Sequence, residues 1–147
     1  MKRNTLSLAI LLMIASVVLA ACGQEAAEAA DGTEAVILTE VGESDLQRLT
    51  LSESAAGRLG IETAAVTEDP ESGLLLIPYS ALIYDASGGT WTYTSPESLV
   101  FVREEVEVEL IDGDFAQLNA GPELGTMVVA VGAAELWGAE TGVGGGH

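Results

Sequence analysis

Apolar and polar residues alternate most clearly in "VFVREEVEVELI", residues 100–111. Val102, Val106, Val108 and Leu110 fall on one side, with Arg103, Glu105, Glu107 and Glu109 on the other. A period of two places successive side chains on opposite faces of a β-strand. Phe101 and Glu104 break the pattern at its start, which suggests a bulge there. Asp112-Gly113 follows, a two-residue hairpin signal, so "FAQLNAG" is expected to pair back on the preceding strand. Upstream, "TWTYT" sets Trp91 and Tyr93 against threonines, and "ASGG" before it reads as a hairpin loop.

Other segments are shorter. "AVILTE" (35–40), "QRLTL" (47–51) and "IETAAVTE" (61–68) read as strands, the last closed by the breaker "DPESG". "LLLIP" ends at Pro78, as a strand end or edge does. "TMVVAVG" (126–132) is apolar throughout and predicts a central strand, after which "AAELWG" closes the domain. One short helix is expected over 52–60, capped by Ser52 and held short by Gly57 and Gly60. Short strands separated by glycine turns predict a mainly β fold, a small antiparallel barrel or sandwich with one short helix.

The ends of the chain differ from this pattern. Lys2 and Arg3 precede an apolar run from Leu6 to Leu19, followed by Ala20 and Ala21. A positive start, an apolar middle of roughly 7–15 residues and small residues before a cut make a secretory signal. The run is shorter than the ~20 apolar residues of a spanning helix. Leu19-Ala20-Ala21-Cys22 resembles the bacterial lipobox, in which the cysteine is lipidated and becomes the first residue. An ordinary signal peptide with a chance cysteine and a retained membrane helix are the rival readings. Residues 1–21 are therefore expected to be a lipoprotein signal peptide, 22–35 a flexible acidic tether and 36–138 the β domain. Residues 139–147 are expected to form a glycine-rich tail, because "ETGVGGGH" offers little to pack.

Charge narrows the partners. Without Lys2 and Arg3, 23 acidic residues face only Arg48, Arg58 and Arg103. Such a surface repels nucleic acid and anionic headgroups. The single cysteine allows no internal disulfide.

Candidate chemistry is sparse. The only histidine, His147, ends a glycine tail and has no fixed geometry for acid–base work. No nucleophile elbow, zinc-helix, P-loop or dinucleotide motif is present. Glu105, Glu107 and Glu109 line one strand face, where they attract divalent cations or serve as a solvated surface. Asp112 and Asp114 flank the turn glycine as turn residues do. Met1, Met13 and Met127 do not cluster, which disfavours a methionine copper site. Trp91 and Tyr93 either form a binding platform or pack in a half-buried sheet. No catalytic, cofactor or metal residue is assigned, and no enzyme activity or cofactor is expected. The one assigned site is lipidation at Cys22.

"IPYSALIYDASGGTWTYT" resembles the C-terminal part of periplasmic adaptor subunits of efflux pumps, the membrane fusion proteins. The resemblance rests on Pro78, Ala81 and Leu82, then Trp91 and Tyr93, then Phe101, Arg103 and Val106. It continues in "GPELGTMVVAVG" through Gly121, Gly125, Val128, Val129 and Gly132, with Pro122 and Thr126 departing from the pattern. "LTLSESAAGRLGIETAAV" (49–66) is similar to the segment that returns to the membrane-proximal domain of metal-efflux adaptors. Only "TEDPESG" lies between the two pieces, where full adaptors carry lipoyl, helical-hairpin and barrel domains. The resemblance implies a membrane-proximal domain alone on a lipid tether at the cell envelope, outside the cytoplasm. It also implies a non-catalytic partner of a membrane efflux transporter, with homo-oligomers open. The alternative is an acidic solute- or cation-binding lipoprotein.

Overall fold

Ser52 and Gly60 set the first helix, α1 (Glu53–Leu59). The Ser52 hydroxyl accepts from the Ala55 backbone N–H, and Gly60 closes the helix in the left-handed conformation. These are the bounds that the caps predict. The structure, a computed structural model, describes residues 35–42 and 44–142. The expected signal (1–21), Cys22, the expected tether before Ala35 and residues 143–147, with His147, lie outside the described residues.

Strand formation follows the apolar and β-branched segments. The described strands are β1 (Val36–Glu40), β2 (Gln47–Leu51), β3 (Glu62–Ala65), β4 (Thr67–Glu68), β5 (Leu75–Pro78), β6 (Ile83–Tyr84) and β7 (Thr90–Glu97). They continue with β8 (Val100–Glu105), β9 (Glu107–Asp112), β10 (Phe115–Ala120) and β11 (Met127–Val131). A 3-10 turn, Tyr79–Ala81, separates β5 from β6, and a second helix, α2 (Ala133–Thr141), follows β11. All pairings are antiparallel.

The strands form two sheets. One runs β1-β2-β8-β7-β11-β3, with β6 also on β7, and the other runs β4-β5-β10-β9. Neither closes on itself, so of the two expected architectures the sandwich is the one formed. Two chain corners stitch the sheets together, at Val66 between β3 and β4 and at Val106 between β8 and β9. Both valines are buried, and their backbone N–H groups donate to Thr126 and Thr90 respectively. Strands that switch sheets by bending are how orthogonal sandwiches turn corners. The continuous strands expected over 61–68 and 100–111 are therefore each two strands.

Two cores result. Leu49, Leu51, Ile83, Tyr93, Phe101 and Val129 of the larger sheet pack under Ala55 of α1 and Leu136 of α2. Between the sheets, Val128 packs with Ile77, Ala116 and Leu118 around the corner residues Val66 and Val106. The larger sheet is thus covered on both sides. Thr92 and Thr94, on the face opposite Tyr93, are buried too.

The second helix departs from expectation. The tail reading began at residue 139, yet Ala139, Glu140 and Thr141 continue α2. Gly132, in the left-handed region at φ +89°, turns the chain from β11 into this helix. A Cβ there would lie 2.2 Å from Ile61 Cδ1, which would have to move, and the positive φ strains any L side chain.

Candidate functional site

The strongest polar constellation of the described residues is built around Arg103. Tyr93 on β7 and Arg103 on β8 are direct cross-strand partners, and Trp91 lies two residues before Tyr93 on the same face. That face lies beneath α2, which brings Trp137 and Glu140 over it. The guanidinium carbon sits 4.3 Å from the Trp91 ring centre and 4.8 Å from that of Trp137. Both distances are within cation–π range. Glu140 Oε1 pairs with Arg103 Nη2 at 3.2 Å, with side chains 4 % and 13 % exposed respectively. The Tyr93 hydroxyl donates to Glu140 Oε2. Burial first, and then the Glu140 carboxylate, push the Tyr93 hydroxyl well above the ordinary phenol range; Arg103 opposes this in part.

A turn locks the other tryptophan edge. Trp91 Nε1 donates to Asp85 Oδ2 at 2.9 Å, while Asp85 Oδ1 accepts from Ser87 N, Ser87 Oγ and Gly89 N. These bonds, that of Ser87 foremost and then those of Trp91 and Gly89, hold the Asp85 carboxyl down at about 2. Gly89 is required by contact, since a Cβ would fall 2.7 Å from Asp85 Oδ2 and 2.8 Å from Trp91 Nε1. Apart from Arg103 Nε, which is buried without a hydrogen-bond partner, the polar groups of this cluster meet one another. Arg103 is stacked on two rings and paired, so the arrangement fastens α2 to the sheet and offers no free cation to a ligand. Arg103, expected on the polar side of its strand, faces inward instead. Trp91 and Tyr93 are packing groups, with Tyr93 fully buried.

The carboxylate row is divided. Glu105 belongs to β8 of the larger sheet, while Glu107 and Glu109 belong to β9 of the smaller one, beyond the Val106 corner. Glu109 accepts from Asn119 Nδ2 at 2.7 Å. Among the described residues, no three His, Cys, Asp or Glu side chains gather as a metal would need. Asp112 and Asp114 lie at the β9–β10 turn, and β10 pairs back on β9 from the Asp112–Phe115 pair onward. Glu104, partly buried and near Glu123, has its carboxyl raised above the usual range, by burial first and by Glu123 second.

An exposed apolar surface lies on the outer face of the smaller sheet. Ala116 and Leu118 of β10 point inward and are buried, so Phe115 and Gln117 point out. Phe115 pairs laterally with Pro78 and Asp112, and Gln117 with Leu76 and Leu110, placing those residues on the same outer face. Tyr79, in the 3-10 turn past the end of β5, lies outside this register, and its N–H donates to the Asp114 carbonyl. Phe115 is 51 % exposed, Leu110 53 % and Tyr79 46 %. Leu110 was expected inside with Val108. A register shift between Gln117 and Leu118 makes Glu109 an extra residue, so Val108 faces in and Leu110 faces out.

Of the residues carrying the adaptor resemblance, Ala81, Leu82, Val106 and Val128 share the core between the sheets. Tyr93, Phe101 and Val129 share the core beneath the helices. No protein-family model, curated protein or solved structure matches the chain. No described helix is long and apolar enough to cross a membrane.

Proposed function

We propose that this chain is a lipid-anchored, extracytoplasmic docking protein, adaptor-like and non-catalytic, that binds or assists a membrane efflux transporter. The observation that carries the reading is the outer face of the smaller sheet. Its inner face is packed, yet Phe115 and Leu110 stand in solvent beside Pro78 and Leu76. Contiguous exposed apolar side chains ringed by polar ones mark interaction surfaces. The lipobox-like Leu19–Cys22 supports an anchor to a bilayer. Acyl chains contribute about 0.8 kcal/mol per buried methylene, and two chains make an anchor stable.

The cation-binding alternative has less support, because the Val106 corner separates Glu105 from Glu107 and Glu109. The docking reading is tested by mild crosslinking in intact envelopes and recovery of the tagged chain. A polytopic transporter in the adduct is expected. Repeated recovery without any membrane transporter overturns the reading. Replacing Cys22 by serine should release the chain from the membrane fraction.

A further inference from the structure

We infer that the outer face of the smaller sheet takes a protein surface with an apolar centre and a rim of lysine or arginine. The inference rests on the docking reading, and it names where contact occurs and what chemistry the partner brings. The centre is Phe115, Leu110, Pro78 and Leu76, set together by the pairing register. The rim is acidic. Asp112 is the cross-strand neighbour of Phe115, and Asp114 closes the same turn. Asp69 Oδ2 accepts from the outward Gln117 at 3.4 Å, and Glu109 accepts from Asn119. Residues 67–82 and 106–126, which supply this sheet and its turns, contain no lysine or arginine. Arg48, Arg58 and Arg103 belong to β2, α1 and β8 instead.

Charge decides between occupants. A two-fold dimer through this face would set one acidic rim against another with no cation between them, since an isologous contact uses the same patch on both copies. An anionic bilayer would meet the same repulsion. A partner with a basic rim gains attraction at the edge and desolvation at the centre, the usual division between rim and core. Exposed charges act over a screening length of about 8 Å at physiological salt. The rim therefore steers association and makes it sensitive to ionic strength.

The test places a photo-crosslinking phenylalanine analogue at position 115 of the full chain, with Thr63 on β3 as the control position. Irradiation is done in isolated envelopes at physiological salt and again at high salt. The adducts are read by peptide mass spectrometry. Expected is an adduct from position 115, absent from position 63, on a partner segment whose apolar residues are flanked by lysine or arginine. Its yield should fall about tenfold with Leu110→Ser, the size of one lost central contact. It should also fall with Asp112→Asn plus Asp114→Asn, and at high salt. All of these substitutions are at exposed residues, and Trp91 and Trp137 fluorescence reports that the fold is intact. An adduct with a second copy, with lipid, with a segment lacking basic flanks, or no adduct at all overturns the inference. A transporter recovered with this face uncrosslinked removes the inference alone. A basic partner that is no transporter leaves the inference standing and removes the transporter reading.

Discussion

Removing the buried Glu140 carboxylate should cost this fold several kcal/mol. Glu140→Ala leaves the Arg103 guanidinium, 13 % exposed, without its carboxylate, and leaves the Tyr93 hydroxyl without an acceptor. Breaking a buried pair by deleting one partner costs about 3–5 kcal/mol. An orphaned buried hydroxyl costs about 1–3 kcal/mol. The two losses share one group and do not add, so about 4 kcal/mol is expected. At roughly 4–8 °C per kcal/mol for a domain of this size, the midpoint falls by roughly 15–30 °C. Glu140→Gln keeps an acceptor for Tyr93 and should lose less. The double replacement of Arg103 and Glu140 by methionine should cost less than Glu140→Ala, because no charge is left stranded. The assay is thermal and urea unfolding followed by fluorescence and far-ultraviolet dichroism. The only two tryptophans, Trp91 and Trp137, both stack on Arg103, so fluorescence reads the cluster itself. Coincident transitions by both probes license a two-state free energy. A loss under about 0.5 kcal/mol, the scale of an exposed ion pair, would refute the reasoning.

Other consequences are smaller in scope. Gly89→Ala should break the Asp85–Trp91 hydrogen bond by contact and destabilise by about 1–3 kcal/mol, read by urea unfolding. The Asp85 carboxyl is held at about 2, below its unfolded value of 3.8, so its contribution is present above pH 3.8 and is lost as pH falls through about 2. Asp85→Asn should flatten the acid limb of the stability profile across that window. Glu104 is shifted the other way, so its folded carboxyl binds a proton more readily than its unfolded one. Stability from that group is present below 4.5 and declines as pH rises through the raised value, a decline that Glu104→Gln should remove. Gly132→Ala should cost at least about 1–3 kcal/mol, since it meets Ile61 and must hold φ +89°.

Local signals carried most of the fold. Ser52 and Gly60 bracket α1 because their capping chemistry is local. Asp112-Gly113 announces the β9–β10 hairpin because a tight turn needs few residues to specify it. The Val106 corner was hidden for the opposite reason. Alternation runs through it undisturbed, and an apolar valine between glutamates reads the same whether its strand stays in one sheet or crosses to another. The α2 helix starts at Gly132 with no side-chain cap, and carries Gly138 inside, so Glu135 in its first turn is the one start signal it shows. Leu99, which adopts φ +63° in the turn between β7 and β8, likewise lacks the glycine that would mark such a position.

The candidate surface was illegible because one extra residue reverses every face beyond it. Period-two reading assigns Leu110 to the side of Val108, and nothing in "EVELID" marks the bulge that sends it out. The same arithmetic misplaced Arg103. Its stem follows the inward row of Phe101, and a lone cation is tolerable there only because Glu140, 37 positions later, returns on a helix to meet it. Inward placement of that arginine therefore depends on a contact no local window contains. The smaller sheet has acidic groups alone for a separate reason, since the segments that build it, 67–82 and 106–126, carry no lysine or arginine. The apolar centre at Phe115 and Leu110 is then exposed within a field of one sign, and that field selects a partner of the opposite sign.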